Sequence, residues 1–315
     1  MVSLVSKYLP KIQETEPGLR RACVVVEGPP GTGKSTLCGS MAEYIGPAKT
    51  LLIATLPREL DSWKYQELKP PHVIIRDSDW QPDIQHFVAD GFPEFLRLAR
   101  WLREEDDQYD GIILDSGTEL AELAWHASLA PHSVSTPADM DGRSRWLPYE
   151  TLTNLLDQGI KELVSLTKVA KRPKHVIVTW HVQPPKDDQV VEGVKKESSD
   201  QKGKGVEYEG DVLPMIRGQY RRKLGSQFPT LVYTDMQTRA NMKVSGASSF
   251  DTQYMLQVRP DNERHTKLPG PLPAMQYIPN DFRSLWELIQ GVRVETSSVK
   301  QVTATPGSSK FSTTK

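Results

Sequence analysis

Short unbroken apolar runs recur along the chain, separated by longer segments in which apolar residues repeat with helical spacing. The runs predict buried strands, and they cover residues 22–27, 50–55, 72–76, 111–115, 175–180 and 230–234. The longer segments predict helices, which cover residues 34–45, 83–105, 117–130, 147–172 and 281–290. Strands that alternate with helices favour an α/β fold with a mostly parallel sheet that helices cover on both faces.

Glycine and proline mark the ends of several of these elements. The pair Gly46-Pro47 ends the first helix, and Pro173 ends the long helix before the fifth strand. The sequence Gly91-Phe92-Pro93 divides the segment 83–105 into two helices. At roughly 150 residues per domain, the length of the chain allows one large domain or two small ones.

The pattern changes near the C-terminus, where two apolar runs follow each other without a helical segment between them. A strand over residues 253–258 is predicted to pair with one over 242–244, and residues 245–250 form the turn. The sequence therefore predicts a C-terminal antiparallel hairpin that extends one edge of the sheet.

A glycine-rich loop follows the first predicted strand and leads into the first helix. Gly28, four further residues and then Gly33-Lys34-Ser35 complete a phosphate-binding P-loop pattern. Glycines let successive backbone N–H groups point at one anion, and the helix N-terminus adds unpaired donors. Lys34 would reach the β- and γ-phosphates of ATP, and the Ser35 hydroxyl would bind Mg²⁺. The predicted nucleotide-binding residues are Gly28, Pro29, Pro30, Gly31, Thr32, Gly33, Lys34, Ser35 and Thr36; the alternative is a turn that binds nothing.

Polar residues at the ends of two later strands extend this prediction. Asp115 ends a fully apolar strand, as the Mg²⁺-ordering Walker B aspartate does in P-loop proteins. The next residue is Ser116 rather than the glutamate that many ATPases carry there, so a water-activating carboxylate, if the protein has one, must come from elsewhere. His181 follows the strand over 175–180, at the edge where open α/β sheets bind ligands. It is a candidate γ-phosphate sensor; the alternative is a histidine that satisfies a loop carbonyl.

Basic residues cluster in the segment 211–224. Basic side chains beside an aromatic ring suit a nucleic-acid backbone with one base stacked, and the candidate DNA-binding residues are Arg217, Tyr220, Arg221, Arg222 and Lys223. A solvated helix face is the alternative. The long charged segment 184–210 is either a solvated excursion or a DNA-contacting loop.

Composition and charge limit the partners and the kinds of site that the sequence allows. The 315 residues carry a net charge of −1, so any nucleic-acid contact must come from local patches. Cys23 and Cys38 have neither metal nor redox spacing, and we expect two buried thiols in a reducing cytoplasm. No apolar run approaches the ~18 residues of a membrane span. We expect a lead-in over residues 1–20, one ATPase domain over 21–295, and a flexible tail over 296–315 that is rich in Ser, Thr and Lys.

In order, five blocks of the sequence resemble phage-encoded RecA-like ATPases of the group linked to single-strand annealing and recombination. The blocks read GPPGTGKST, YDGIILDSGTEL, HVIVTWHVQ, DVLPMIRGQYRRKLGSQFPTLVYT and YMLQVRPDNERHTKLPGP. The resemblance covers roughly residues 20–290 and rests on the downstream blocks, since the P-loop is shared by very many families. It implies a RecA-like P-loop NTPase fold, ATP and Mg²⁺ as ligands, single-stranded DNA as partner, and a homo-oligomer that is a ring or a filament. A single-strand-binding protein is a further possible partner, and the location implied is the host cytoplasm.

The resemblance also assigns roles to individual residues. Glu59, just after the second strand, matches the catalytic glutamate of RecA-like proteins and would orient water. Arg264 or Lys267 would reach the γ-phosphate of a neighbouring subunit as a finger in trans.

Three other functions fit parts of the sequence. One is a P-loop nucleotide or small-molecule kinase, although no arginine-rich lid follows the middle helices. Another is a nucleotide-gated DNA-binding protein with little turnover, which the residue after Asp115 allows. The third is a helicase or packaging motor, which a single P-loop and no accessory domain disfavour.

Overall fold

The structure is a computed structural model that describes residues 21–64, 70–76, 87–134, 136–183, 213–217, 220–240, 250–261, 264–270 and 272–291. The predicted lead-in over 1–20, the loop over 184–210 and the tail over 296–315 lie outside the described residues. The predicted turn and strand within 242–249 lie outside them as well.

One sheet runs through the described part of the chain. Its strands are β1 (Cys23–Gly28), β2 (Thr50–Ala54), β3 (His72–Arg76), β4 (Phe87–Asp90), β5 (Gly111–Asp115), β6 (His175–Gln183), β7 (Leu213–Pro214), β8 (Thr230–Ala240), β9 (Phe250–Gln257) and β10 (Tyr277–Pro279). Their order is β4-β3-β2-β5-β6-β1-β8-β9-β10, and β7 pairs with the end of β6. The strands from β4 to β8 in this order are parallel, whereas β9 and β10 are antiparallel to their neighbours.

Helices pack on both faces of the sheet because each strand alternates its side chains between the two faces. The helices are α1 (Lys34–Ile45), α2 (Asp61–Lys64), α3 (Gly91–Glu104), α4 (Gly117–Leu129), α5 (Leu147–Ser165), α6 (Tyr220–Gln227) and α7 (Phe282–Ile289). Val25 of β1 joins a core cluster with apolar residues of α3, α4 and α5. Val24 and Val26 join a second cluster with residues of α1 and α7. The fold is therefore the predicted α/β class, a mostly parallel sheet with helices on both faces and a C-terminal antiparallel extension.

The predicted helix over residues 83–105 is wrong in its first part. Phe87–Asp90 forms the edge strand β4, which pairs with Val73–Arg76 of β3. Gly91 has a φ of 67°, a left-handed conformation that separates the strand from the helix after it. The sequence could not distinguish this strand from a helix, since a short apolar run is compatible with either element.

Two other boundaries also differ from the prediction. Helix α5 ends at Ser165 rather than near residue 172, because the chain turns so that the Lys174 N–H donates to the Leu166 carbonyl at 2.9 Å. The partner of β9 is β8, which continues to Ala240 and pairs from Tyr233↔Gln257 to Ala240↔Phe250. The predicted hairpin is thus present, but its first strand is a continuation of β8 rather than a separate run.

Of the described helices, none combines the length and the apolar character that a bilayer crossing demands. Both cysteines are buried free thiols, as expected.

A buried ion pair fixes the connections at the amino ends of the strands, whereas the P-loop lies at their carboxyl ends. The Lys174 ammonium lies 2.7 Å from the Asp106 carboxylate, and both side chains are almost fully buried. Lys174 also donates to the carbonyls of Asp106 and Tyr109. The pair therefore connects the segments that lead into β5 and β6.

We expect Asp106→Asn to lower the free energy of unfolding by about 3 kcal/mol, because it leaves the Lys174 ammonium buried without its counter-charge. Denaturant titration of the full chain measures this. Asp107→Asn is the matched control, since that carboxylate is 75% exposed and pairs loosely with Lys171 at 3.5 Å; a change within about 0.5 kcal/mol is expected there. Equal stability of the two variants would contradict the assigned role.

Candidate active site

The carboxyl ends of four neighbouring strands meet at one edge of the sheet. Register pairs Gly28 with His181 and Ala54 with Asp115, so these strand ends lie level with one another. A cleft of about 500 Å³ opens there. It is lined by Pro30, Gly31, Gly33, Lys34, Ser35, Thr36, Arg58, Glu59, Asp115, His181 and Tyr254.

The P-loop lies in this cleft in a conformation that its glycines permit. Gly31 and Gly33 have φ values of 78° and 94°, in the left-handed region. A Cβ on Gly28 would collide with the Thr234 side chain, so strand β8 approaches the loop as closely as glycine allows. The Thr32 hydroxyl, 2.7 Å from that of Thr234, ties the loop to β8.

The predicted nucleotide-binding residues divide into two groups. Six of them line the cleft: Pro30, Gly31, Gly33, Lys34, Ser35 and Thr36. The other three shape the loop from behind, since the carbonyls of Gly28 and Pro29 accept from Lys34 and the Thr32 hydroxyl donates to the Pro29 carbonyl. Helix α1 begins directly after Gly33 without a side-chain cap, which leaves the N–H groups of its first turn available to an anion.

The Lys34 side chain lies within the P-loop, where backbone carbonyls position its ammonium. Its ammonium donates to the carbonyls of Gly28 and Pro29, both at 2.8 Å. Burial lowers the pKa of Lys34 to about 8, although the nearby Asp115 charge opposes this shift. The side chain therefore remains mostly protonated at pH 7, as a ligand of phosphate must be.

Asp115 is fixed by three donors. Ser35 Oγ donates to its Oδ2 at 3.2 Å, and Thr179 Oγ1 donates to its Oδ1 at 2.6 Å. The indole N–H of Trp63 lies 3.4 Å from Oδ2. A carboxylate beside a hydroxyl, at the mouth of an anion-binding loop, is the oxygen-only set that Mg²⁺ prefers together with phosphate oxygens. Ser35 and Asp115 thus fit the predicted metal-binding pair.

Glu59 lies in the same cleft and is rigidly held. Its Oε2 accepts from the N–H groups of Thr55 and Leu56, at 2.7 and 2.9 Å, and from the Thr55 hydroxyl at 2.7 Å. Its Oε1 accepts from the Ser116 hydroxyl at 2.9 Å. Burial raises the pKa of Glu59 to about 7, partly offset by the bonds from Leu56 and Thr55. A carboxyl group with this pKa is suited to accept a proton near neutral pH.

His181, beside Gly28 on the neighbouring strand, and Arg58 also line the cleft. Burial lowers the pKa of His181, and the Lys34 charge adds to this, so the imidazole is neutral at pH 7. Its Nδ1 is buried with no hydrogen-bond partner among the described residues. Arg58 is 70% exposed and donates to Glu119 at 2.6 Å. The cleft therefore has two cationic side chains, Lys34 and Arg58, and one neutral imidazole.

Arg264 does not reach this cleft. Its guanidinium pairs with Asp235 at 2.9 Å, donates to Gln257 at 3.0 Å and lies over the Tyr233 ring at 4.5 Å. Within its own chain it therefore joins the middle of β8 to the end of β9. Its action on a neighbouring subunit stays a prediction, as does that of Lys267, which donates to the Phe228 carbonyl.

The interpretation of Tyr220 as a base-stacking residue is wrong. Its ring is 2% exposed and packs in the core between α6 and the helices beneath it, so no base can reach its face. Arg217 and Lys223 are exposed but pair with Glu122 and Asp157. The side chains of Arg221 and Arg222 lie outside the described residues.

Several residues of the site escaped sequence reasoning. Thr179 carried the clearest signal, because it is a polar residue inside an otherwise apolar strand, two positions before His181. Arg58 lies beside Glu59 in the sequence and gave no signal of its own. Trp63 and Tyr254 gave no local signal, since only the folding of α2 and β9 toward the cleft brings them there.

Comparisons with known proteins give one family match and several distant structural similarities. The family model described as an AAA domain, AAA_24, matches residues 20–268. The flagellar accessory protein FlaH from Methanocaldococcus jannaschii is 12% identical with a TM-score of 0.31, over 74% of this chain and 76% of that one. The RadB recombinase is 11% identical with a TM-score of 0.32, over 76% and 80%.

An ATPase from the type III secretion system of pathogenic bacteria is 17% identical with a TM-score of 0.34, over 68% of this chain and 51% of that one. These identities and TM-scores are too low to support an argument about function. No curated protein matches the sequence.

Proposed function

We propose, on the premise that the chain belongs to the AAA_24 family of AAA domains, that it hydrolyses Mg²⁺-bound ATP in the cleft between the P-loop and Glu59. The observation that carries this proposal is the position of the Glu59 carboxylate. It faces the same cleft as Lys34 and Asp115, and four hydrogen bonds fix it there. A site that only binds nucleotide has no need of a fixed carboxylate with a pKa near 7.

Binding uses groups that the structure already presents. The first-turn N–H groups of α1 and the loop amides bind the phosphates, and Lys34 exchanges the carbonyls of Gly28 and Pro29 for phosphate oxygens. Ser35 and Asp115 would hold Mg²⁺, which neutralises charge on the phosphates when bound. Trp63 and Thr179 keep Asp115 in place.

Hydrolysis requires a water molecule aimed at the γ-phosphorus. Glu59 Oε1 accepts from the Ser116 hydroxyl at 2.9 Å and lines the cleft, so its carboxylate is placed to accept a proton from a water molecule bound there. As the water oxygen bonds to phosphorus, the bond to the ADP oxygen breaks and Glu59 takes the proton. Arg58 and Lys34 stabilise the negative charge of the transferred group, and neutral His181 is placed to donate a hydrogen bond to it.

We also propose single-stranded DNA as the partner whose binding is coupled to the ATP state, in phage-type recombination, annealing or repair. The support is the sequence resemblance and the exposure of Arg217 and Lys223. Their pairing with Glu122 and Asp157 means that phosphates would have to displace two carboxylates. A homo-oligomer, a single-strand-binding protein as a further partner, and the cytoplasm as location belong to the same proposal.

An ATPase assay with and without single-stranded DNA tests both parts. ATP hydrolysis by the full chain is expected to rise on adding single-stranded DNA, and to rise less as salt is added, because phosphate contacts release counterions. Duplex DNA of the same length is the control nucleic acid. Hydrolysis that no DNA changes would refute the partner and leave the ATPase intact. Phosphate transfer to a nucleoside in place of water would favour the kinase alternative instead.

A further inference from the structure

Tyr254 lies at the end of the nucleotide cleft that the catalytic groups leave free. It belongs to β9, in the antiparallel extension, and lines the cleft together with the P-loop. Its side chain is 42% exposed. In the proposed mechanism Lys34 binds the phosphates, Asp115 holds Mg²⁺ and Glu59 orients the attacking water. The mechanism makes no use of the Tyr254 ring.

The extension is fitted closely to the P-loop. A Cβ on Gly33 would lie 2.9 Å from the Tyr254 ring and 2.5 Å from Asn280 Nδ2, so the ring packs directly against this glycine. Asn280, just after β10, donates to the Gly33 carbonyl at 2.8 Å. The position of the ring relative to the loop is therefore fixed by contacts from two neighbouring strands.

Side chains alternate between the two faces of the sheet along β9, and this alternation determines the face on which the Tyr254 ring lies. Tyr254 shares its face of the sheet with Leu256, which is fully buried in the core cluster beneath α1 and α7. Tyr254 continues that apolar row past the start of α1, where none of the described helices covers it and its side chain is 42% exposed. On β8, its cross-strand neighbour is Met236, which is also exposed. An uncovered aromatic ring thus stands beside the first turn of the phosphate-binding helix.

We propose that Tyr254 stacks on the base of the bound nucleotide. This inference rests on the proposed function, since it requires that a nucleotide occupies the P-loop. A tyrosine ring carries no charge to offer phosphate, but its face suits a planar heterocycle at the other end of the ligand. Because every base has a stacking face, this contact raises affinity for nucleotides over bare polyphosphate and discriminates weakly among bases.

The test compares binding of Mg²⁺-ATP and Mg²⁺-tripolyphosphate by calorimetry, using the full chain. Tyr254→Ala is expected to weaken ATP binding roughly 5- to 150-fold and to leave tripolyphosphate binding unchanged. Tyr254→Phe keeps the ring and should stay within about threefold of the parent for both ligands. Tyr254→Thr suits a strand as a β-branched residue and serves as a second truncation if alanine disturbs β9.

Tyr44→Ala is the matched control. Tyr44 is 43% exposed, on α1, and packs on Phe282 and Arg283 outside the cleft. It should bind both ligands as the parent does. Equal loss of ATP and tripolyphosphate binding in the Tyr254 truncations would assign the ring to P-loop structure and overturn the inference, as would unchanged ATP binding. A parent that binds neither ligand would refute the proposed function itself.

Discussion

Lys34→Ala is expected to reduce ATP hydrolysis by roughly 1,000-fold or more. Lys34 is the buried cation of the cleft, and its ammonium already lies among the loop carbonyls at 2.8 Å. Alanine supplies no charge at the position where negative charge builds up on the transferred phosphate. Arg58 does not replace it, because that side chain is 70% exposed and pairs with Glu119. Steady-state phosphate release at saturating ATP measures the loss.

The fold should survive this substitution. Burial depresses the pKa of Lys34 to about 8, so the folded protein holds the charged form less favourably than water does. Removing the side chain is therefore not expected to lower the thermal midpoint. Lys49→Ala is the control, since Lys49 is 59% exposed and lies outside the cleft; it should keep parental turnover. A Lys34→Ala protein that hydrolyses ATP at a rate near the parent's would refute the site.

Local sequence was sufficient for the phosphate and metal end of the site. The P-loop is a contiguous segment whose conformation depends on its own glycines, so Gly31 and Gly33 could be read directly. Asp115 was predictable because the carboxyl ends of parallel strands share one edge of the sheet. The prediction that Glu59 lies near this group required the family resemblance, since nothing in the sequence around it distinguishes it from other loop carboxylates.

The errors concern residues whose environment depends on distant segments. The basic residues that flank Tyr220 predict a DNA-binding surface, yet Tyr220 is buried in the core. A helix with charged residues still buries one face, and that face is chosen by the elements packed against it. Tyr254 could not be predicted as a site residue, because a tyrosine in a strand gives no sign that the fold brings that strand beside the P-loop.

The two parts of the proposed function, ATP hydrolysis and DNA binding, rest on different kinds of support. The ATP site is built from described residues that contact each other directly. The DNA proposal rests on exposed basic residues that already have carboxylate partners in Glu122 and Asp157. The hydrolysis predictions can therefore succeed or fail independently of the partner.

Glu59→Gln is expected to lower the turnover of ATP about 100- to 10,000-fold, because glutamine keeps the shape of the side chain but cannot accept a proton. ATP affinity should change little, since Glu59 contacts water rather than phosphate in the proposed mechanism. Glu43→Gln, on the exposed side of α1, is the matched control and should keep parental turnover.

The pH dependence gives the sharper test of the same residue. With a pKa raised by burial to about 7, Glu59 is protonated and inactive as a base at pH 6, and it ionises as the pH rises. Parental turnover should therefore increase through about pH 7 and fall again above about pH 8, where Lys34 loses its proton. The folded protein binds this proton more tightly than the unfolded chain, so the contribution of Glu59 to stability falls as the pH rises from 4.5 to about 7. Activity and the Glu59 contribution to stability should thus move in opposite directions across this window, and Glu59→Gln should abolish the first and remove the second. His181→Gln should leave the inflection near pH 7 in place, because burial and Lys34 shift the pKa of His181 downward. An inflection that persists in Glu59→Gln and vanishes in His181→Gln would assign the proton acceptor to the histidine.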